Sequence, residues 1–137
     1  MSLAIIRLLF DTGLLVLIWM VQLVVYPGFR FYRPDDLKRW HEKYTRQVTF
    51  VVMPLMLGQL VITGIQIWED ANWYTILSGL LVLLLWLSTF LKFVPLHSRI
   101  TNEDFDEQTL NDLVRYNWGR TVLWSGLFLI SVVAVLF

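Results

Sequence analysis

The side chains of this chain that could do chemistry are histidines, tyrosines, arginines and an amide beside the ends of long apolar runs. Histidine exchanges a proton near neutral pH, tyrosine can pass one on, and arginine can hold an oxyanion. Together they predict a site that binds the polar head of a hydrophobic molecule and moves a proton. The members of this set are Tyr26, His41, Tyr44, Arg46, His97, Arg99, Asn117 and Arg120.

Within this set we predict separate catalytic and substrate-binding roles. His97 would act as the base, Arg99 and Arg120 would stabilise an oxyanion, and Asn117 would orient the substrate. The alternative is a rim of cations that only binds lipid phosphates at the cytoplasmic face. The predicted substrate-binding side chains are Tyr26, His41, Tyr44, Arg46 and Gln59.

Asp11 is the one acidic residue inside an apolar run, and its position permits two interpretations. An acid within a membrane-spanning helix costs about 3 kcal/mol, so it marks a functional candidate that faces the interior of the bundle. Arg7 lies four residues earlier on the same helix face and could pair with it instead. Gln22, like Gln59, either bonds to a neighbouring helix or contributes to a site.

Four apolar runs must position these residues, and they cover residues 3–25, 48–68, 73–94 and 118–137. Hydrophobic residues make up 57% of the chain. A helix of about 20 residues crosses the ~30 Å hydrocarbon core of a bilayer. We therefore predict one all-α domain over residues 1–137, an integral membrane four-helix bundle with up-down connections.

The connections between these runs follow a repeated pattern. The prolines of Tyr26-Pro27-Gly28 and Val94-Pro95 are predicted to end the first and third helices, because proline disrupts a regular helix. Each is followed by an aromatic and basic stretch and then by a short amphipathic helix, which begins near Pro34 in the first half. This repeated pattern predicts two related helical hairpins, with an amphipathic helix in each of the two long loops.

The distribution of charge predicts the orientation in the membrane. Apart from Arg7, the Lys and Arg residues lie between residues 30 and 46 or between residues 92 and 120. The short connection at residues 69–72 carries two acids and no base. By the positive-inside rule both long loops are cytoplasmic and both termini lie outside, in the plasma membrane or bacterial inner membrane.

Composition also limits the cofactors and partners. The chain has no cysteine, which excludes disulfides and thiolate metal ligands. His41 and His97 leave a haem or metal open as an alternative, but no ligand pair with metal-binding spacing occurs, so we predict no cofactor. Nucleic-acid motifs are absent. The predicted partners are membrane lipids and a hydrophobic small molecule, and a homo-oligomer is left open.

Two segments of the chain together resemble a known family. The family consists of small four-span membrane proteins of unknown function and includes the fungal anthrone oxygenases; its members carry V-P-L-N-N-R-L after the third span and N-x-x-R-T at the start of the fourth. This chain departs from the pattern at His97 and Ser98. The matching segments are Val94-Pro95-Leu96-His97-Ser98-Arg99-Ile100 and Asn117-x-x-Arg120-Thr121.

The resemblance implies a four-helix bundle and, in some members, cofactor-free oxygenation of a polycyclic phenol. It carries over onto Pro95, Arg99, Asn117, Arg120 and Thr121 without assigning their roles. Two other functional classes stay open. One is a non-enzymatic membrane module, such as an accessory subunit, a lipid-binding protein or an oligomeric scaffold. The other is a transporter or channel, for which Asp11 is the only residue that suggests an ion path.

Overall fold

The computed structural model describes all 137 residues and is 91% helical without any strand. Five α-helices account for most of the chain, and we number them α1 to α5. Two π-helical segments, Val21–Val25 and Thr89–Phe93, follow α1 and α3, and the turns Tyr26–Gly28 and Phe29–Phe31 follow the first of these. The helices are α1 (Leu3–Met20), α2 (Pro34–Glu69), α3 (Trp73–Ser88), α4 (Val94–Thr101) and α5 (Glu107–Leu136).

Four helical paths are long and apolar enough to cross a membrane, which confirms the predicted all-α class and the four helices of membrane-crossing length. The bundle exposes many large apolar side chains, and Leu9, Val16 and Val122 are each about 60% exposed. Water disfavours so continuous an apolar surface, whereas lipid matches it. The four paths run from Leu3–Phe31, Pro34–Glu69, Trp73–Thr101 and Glu107–Leu136.

The four paths pack in a ring. α1 lies between α2 and α5, and α3 contacts the same two helices from the other side. Leu14, Leu85, Trp124 and Leu127 form the middle of the core and are almost completely buried. A second apolar cluster, which includes Phe29 and Phe93, fills the end of the bundle that carries both histidines. The long loops and the proline turns converge on this histidine end.

The prediction that Pro27 and Pro95 end their helices is wrong. In each case a π-helical segment precedes the proline, and the residue before the proline donates its N–H five residues back, from Tyr26 to Val21 and from Val94 to Thr89. Inside a regular α-helix the proline ring clashes with the carbonyl four residues earlier. The wider π turn relieves this clash, so the chain stays helical and turns through a different angle.

The predicted amphipathic segment after Pro34 and the apolar run 48–68 form one continuous helix, α2. Its 36 residues extend about 54 Å, which is longer than the hydrocarbon core. α5 likewise joins residues 107–117 to the last apolar run. Asp106 caps α5 by accepting bonds from the backbone N–H and hydroxyl of Thr109, and these bonds lower the pKa of the Asp106 carboxyl.

Candidate functional site

A cavity of about 450 Å³ lies between the helices at the level of the two π-helical segments. Cavities of this volume hold small organic molecules. Most of its wall is apolar, and every membrane-crossing path contributes to it. The apolar residues that define its floor and sides include Leu17, Ile18, Val52, Met56, Phe90 and Trp124.

Four side chains of the cavity wall carry titratable groups, and we call them the Arg120 site: Tyr26, Tyr44, His97 and Arg120. The hydroxyl of Tyr26 lies 2.9 Å from Nε2 of His97. The π-helical segments place Tyr26 and His97 on facing helices, one residue before and two residues after the prolines. Four of the site residues predicted from the sequence therefore meet around one cavity.

Arg120 is the most informative residue of the site. It is 7% exposed, its guanidinium carbon lies 4.2 Å from the ring centre of Phe93 and 5.0 Å from that of Trp124, and its Nε has no hydrogen-bond partner. No carboxylate pairs with it. Burial of a cation without an anion is costly, and aromatic faces offset only part of that cost. Arg120 thus presents an unused positive charge to an apolar cavity.

His41 lies behind His97 rather than in the cavity wall. It is completely buried, its Nε2 is 2.7 Å from Nδ1 of His97, and its Nδ1 is 3.2 Å from the hydroxyl of Thr101. The hydroxyl of Thr101 donates to the carbonyl oxygen of His97. The predicted role of His41 in direct substrate contact does not fit this position.

Every ring nitrogen of the two histidines has a hydrogen-bond partner within the protein. No group of three or more His, Asp or Glu side chains comes together with the geometry of a metal site. A haem or metal ligand needs a free nitrogen that points at the iron or metal. The arrangement of His41 and His97 fits a hydrogen-bonded chain and does not fit the haem or metal alternative.

Two of the predicted catalytic residues lie elsewhere. Arg99 has a side chain that is 42% exposed, and its Nε donates to the carbonyl of Asp104 at 3.0 Å. Asn117 is buried against the first helical path, where its Nδ2 donates to Oε1 of Gln22 at 2.9 Å. Arg46, predicted to bind substrate, lies on the outer surface of α2. None of these three lines the cavity.

Gln22 acts as a hydrogen-bonding hub between helices. Its Nε2 donates to the carbonyl of Val114 at 3.1 Å, and its Oε1 also accepts from the hydroxyl of Thr121 at 3.2 Å. These bonds tie the π-helical segment Val21–Val25 to α5 within the bundle. Two of its partners, Asn117 and Thr121, flank Arg120 on α5, so these bonds fix the part of α5 that carries Arg120.

Gln59 and Asp11 belong to a second polar region at the opposite end from the histidines, which we call the Asp11 network. Asp11 accepts from Nε of Arg7 at 3.0 Å, from Nε2 of Gln59 at 2.6 Å and from the hydroxyl of Ser131. Nη1 of Arg7 donates to Gln66 at 3.1 Å. The members of the network are almost fully buried: Arg7, Asp11, Gln59, Gln66 and Ser131.

The sequence reasoning missed Trp86, whose Nε1 is buried without a partner and whose side chain lines the cavity. A signal was present, since Trp86, Phe90, Phe93 and His97 follow one another at spacings of four, three and four residues. That spacing places them on one face of a helix. The face is aromatic throughout and ends in a histidine, which is unusual for plain lipid contact.

Comparisons with known proteins identify no relative: no family model, no curated protein and no solved structure matches this chain. The resemblance at residues 94–100 and 117–121 therefore stays a prediction. What the fold itself defines is an all-α protein with four helices of membrane-crossing length and a cavity among them.

Proposed function

We propose that this protein is an integral membrane enzyme that binds a hydrophobic aromatic or quinone-type substrate between its helices and removes a proton from its phenol or anthrone form. The observation that carries this proposal is the unpaired, buried Arg120 beside Tyr26 and His97 at the polar end of an apolar cavity. A phenolate would supply the anion that Arg120 lacks, and its rings would fill the apolar space.

In this reaction the substrate oxygen lies against Arg120 while the acidic proton passes to the Tyr26 and His97 pair. Arg120 stabilises the negative charge as it develops, which is worth most in a site without water. His97 supplies the general base through the Tyr26 hydroxyl. Trp86 Nε1, the other unpartnered donor in the cavity wall, can bond to a second substrate oxygen.

The family resemblance suggests dioxygen as the second substrate. An electron-rich anthrone anion reacts with dioxygen without a metal. The methylene carbon of the anthrone loses two hydrogens and gains one oxygen atom as the carbonyl of an anthraquinone, and the second oxygen atom leaves as water. The protein residues contribute proton removal, charge stabilisation and the exclusion of bulk water.

We propose an up-down arrangement in the membrane, with both termini outside and the basic segments in the cytoplasm. The amphipathic parts of α2 and α5, before residues 48 and 118, would lie in the cytoplasmic interface. This follows from the charge distribution and from the excess length of α2. Because the chain has no cysteine, single variants Ala71→Cys, Lys43→Cys and Gln108→Cys can be labelled cleanly. Ala71→Cys should react from outside the cell, and the other two only after permeabilisation.

The alternative of a non-enzymatic lipid-binding module uses the same observation, since a fatty-acid carboxylate or lipid phosphate could also pair with Arg120. Native mass spectrometry of the purified protein separates the two. A co-purifying aromatic or quinone-type molecule supports the enzyme, and a bound acidic lipid supports the module. The same spectra report whether the protein forms a homo-oligomer.

The direct test of the enzyme is turnover of anthrone by the purified protein, followed as oxygen uptake and anthraquinone absorbance. Arg120→Gln should lower turnover about 100-fold, the usual effect of removing one donor to an oxyanion. Arg115→Gln is the matched control, because Arg115 is exposed on the same helix and does not line the cavity. No turnover by the wild-type protein, or equal turnover by Arg120→Gln, contradicts the proposal.

A further inference from the structure

The contacts behind His97 form a chain that runs from the cavity toward the end of α4. Its links are Tyr26 Oη to His97 Nε2 at 2.9 Å, His97 Nδ1 to His41 Nε2 at 2.7 Å, and His41 Nδ1 to Thr101 Oγ1 at 3.2 Å. Tyr26 and Thr101, the two ends of this chain, both line the cavity, whereas His41 does not. Thr101 is the last residue of α4 and adjoins the exposed Asn102.

The direction of each hydrogen bond follows from the number of protons available. The Thr101 hydroxyl gives its one proton to the His97 carbonyl, so it accepts from Nδ1–H of His41. A neutral His41 then has a bare Nε2, which accepts from Nδ1–H of His97. A neutral His97 in turn has a bare Nε2, which accepts from the Tyr26 hydroxyl.

The surroundings of the chain agree with this direction. Arg120 lines the same cavity wall as Tyr26, and because a guanidinium can only donate hydrogen bonds it offers no acceptor for the Tyr26 proton. The other titratable group packed against the histidines is Tyr44 from α2, and no carboxylate contacts either ring. The Tyr26 proton therefore points away from Arg120 and toward His97.

We propose that Tyr26, His97, His41 and Thr101 form a proton relay that carries a proton from the Tyr26 side of the cavity to Thr101 beside the exposed Asn102, with His41 as its second histidine. This inference rests on the proposed function. In the resting state every hydrogen points from the cavity toward Thr101. When the substrate gives its proton to the Tyr26 oxygen, the Tyr26 proton moves to His97 and the Nδ1 proton of His97 moves to His41. The Thr101 oxygen then takes the Nδ1 proton of His41, while the hydroxyl proton of Thr101 turns from the His97 carbonyl and passes to water.

The relay explains why a second histidine is buried where it cannot touch a substrate. If His97 kept the proton, it would become a buried cation close to Arg120, which the low dielectric of the site opposes. Transfer to His41 and then to water removes that charge. The net change is one proton taken from the substrate and one released at the end of α4.

The resting state can be tested without any substrate. Spectra of protein labelled with 15N-histidine in micelles distinguish the protonated from the bare ring nitrogen. The relay predicts the Nδ1–H tautomer for both His41 and His97, although neutral histidine in water favours Nε2–H. An Nε2–H tautomer on either residue overturns the assigned direction, and this result does not depend on whether anthrone is a substrate.

The transfer step is tested with His41→Gln, whose Oε1 can still accept from Nδ1–H of His97 but cannot pass a proton on. Anthrone binding, followed by tryptophan fluorescence, should stay within twofold of wild type, while turnover falls about tenfold or more. His41→Ala should regain turnover as imidazole is added. Wild-type turnover in His41→Gln, or no response of His41→Ala to imidazole, overturns the relay.

Thr101→Val tests the exit of the relay, because valine keeps the shape and removes the hydroxyl. Its turnover should be lower than that of wild type, with a smaller loss than in His41→Gln. Thr12→Val is the matched control, since Thr12 also donates to the carbonyl four residues earlier but lies exposed on α1 and outside the cavity. Equal turnover in Thr101→Val and Thr12→Val contradicts an exit through Thr101. Absence of turnover in wild type instead counts against the proposed function.

Discussion

The Asp11 network and the Arg120 site each contain a buried arginine, but only the arginine of the Asp11 network has a carboxylate partner. Arg7 pairs with Asp11 and bonds to Gln66, so that only its Nη2 lacks a partner. Arg120 has aromatic rings and a cavity around it and no carboxylate. The difference teaches that a buried cation is structural where its counter-charge is built in, and available to a ligand where it is not.

Trp124 separates the two regions and touches both. Its indole N–H donates to Gln59 of the Asp11 network at 3.3 Å, while its ring faces the guanidinium of Arg120 at 5.0 Å. The rigid network at one end of α5 thereby fixes an aromatic wall of the cavity at the other. The Asp11 network and the Arg120 site are therefore connected through one buried side chain, Trp124.

The largest expected effect on stability is in the Asp11 network. Asp11→Leu leaves Arg7 as an uncompensated buried charge and should lower the free energy of unfolding by about 3–5 kcal/mol. Unfolding by sodium dodecyl sulfate in mixed micelles measures it. The double variant Arg7→Met with Asp11→Leu should recover most of the loss, since no charge is then unpaired. An equally unstable double variant contradicts the interpretation of this pair as a self-contained structural unit.

In the Arg120 site, removal of the charge should affect ligand binding and not stability. Arg120→Met removes a charge that has no partner, so the unfolding free energy should stay the same or rise. Binding of anthrone should nevertheless weaken about 100-fold, or about 2.7 kcal/mol. Tryptophan fluorescence measures the binding because Trp86 and Trp124 line the cavity. Strong destabilisation in Arg120→Met would show that Arg120 is structural, like Arg7.

Packing around the Asp11 network should be less tolerant of substitution than the exposed surface of the same helix. A Cβ at Gly58 would lie 2.1 Å from the ring of Phe10, beside Asp11, whereas a Cβ at Gly64 meets nothing within 4 Å. Gly58→Ala should therefore lower the unfolding free energy by about 1–3 kcal/mol. Gly64→Ala, with the same chemical change, should raise it by up to about 1 kcal/mol. The same sign in both variants contradicts the close approach of α1 and α2.

The smallest expected effect on stability is at Gln22, which is uncharged and bonds to α5 near Arg120. Gln22→Leu removes bonds to Asn117, Thr121 and the Val114 carbonyl, and should cost about 1 kcal/mol of unfolding free energy. Gln47→Leu is the control at an exposed position, where a change within about 0.5 kcal/mol is expected. A loss in Gln22→Leu as large as that in Asp11→Leu would remove the distinction between charged and neutral networks.

The four helices of membrane-crossing length could be predicted from the sequence because a bilayer-spanning helix needs about twenty apolar residues, and four such runs are present. The pairing of Arg7 with Asp11 could also be predicted, since four residues separate them on one helix. The sequence also places His97, Arg120 and Tyr26 near helix ends, and in the structure they line one cavity. All of these features depend on local spacing or on composition.

What could not be predicted depends on how far each helix turns before it ends. The π-helical segments before Pro27 and Pro95 change the direction in which the following side chains point around the helix axis. No rule based on a single sequence predicts such segments. This change of direction places His97 in the cavity wall. Arg99, two residues after His97, bonds to Asp104 instead. The position of His41 behind His97, and the bond from Gln59 to Asp11, arise from contacts between distant parts of the chain.

The central claim is that Arg120 is left unpaired for an oxygen anion that the protein binds from the membrane. The most direct test is the unfolding free energy of wild type, Arg120→Met and Arg115→Met as anthrone is added. Wild type and Arg115→Met should gain about 2.7 kcal/mol at one hundred times the Kd, and Arg120→Met should gain almost nothing. An equal gain in all three proteins, or no gain in wild type, contradicts the claim.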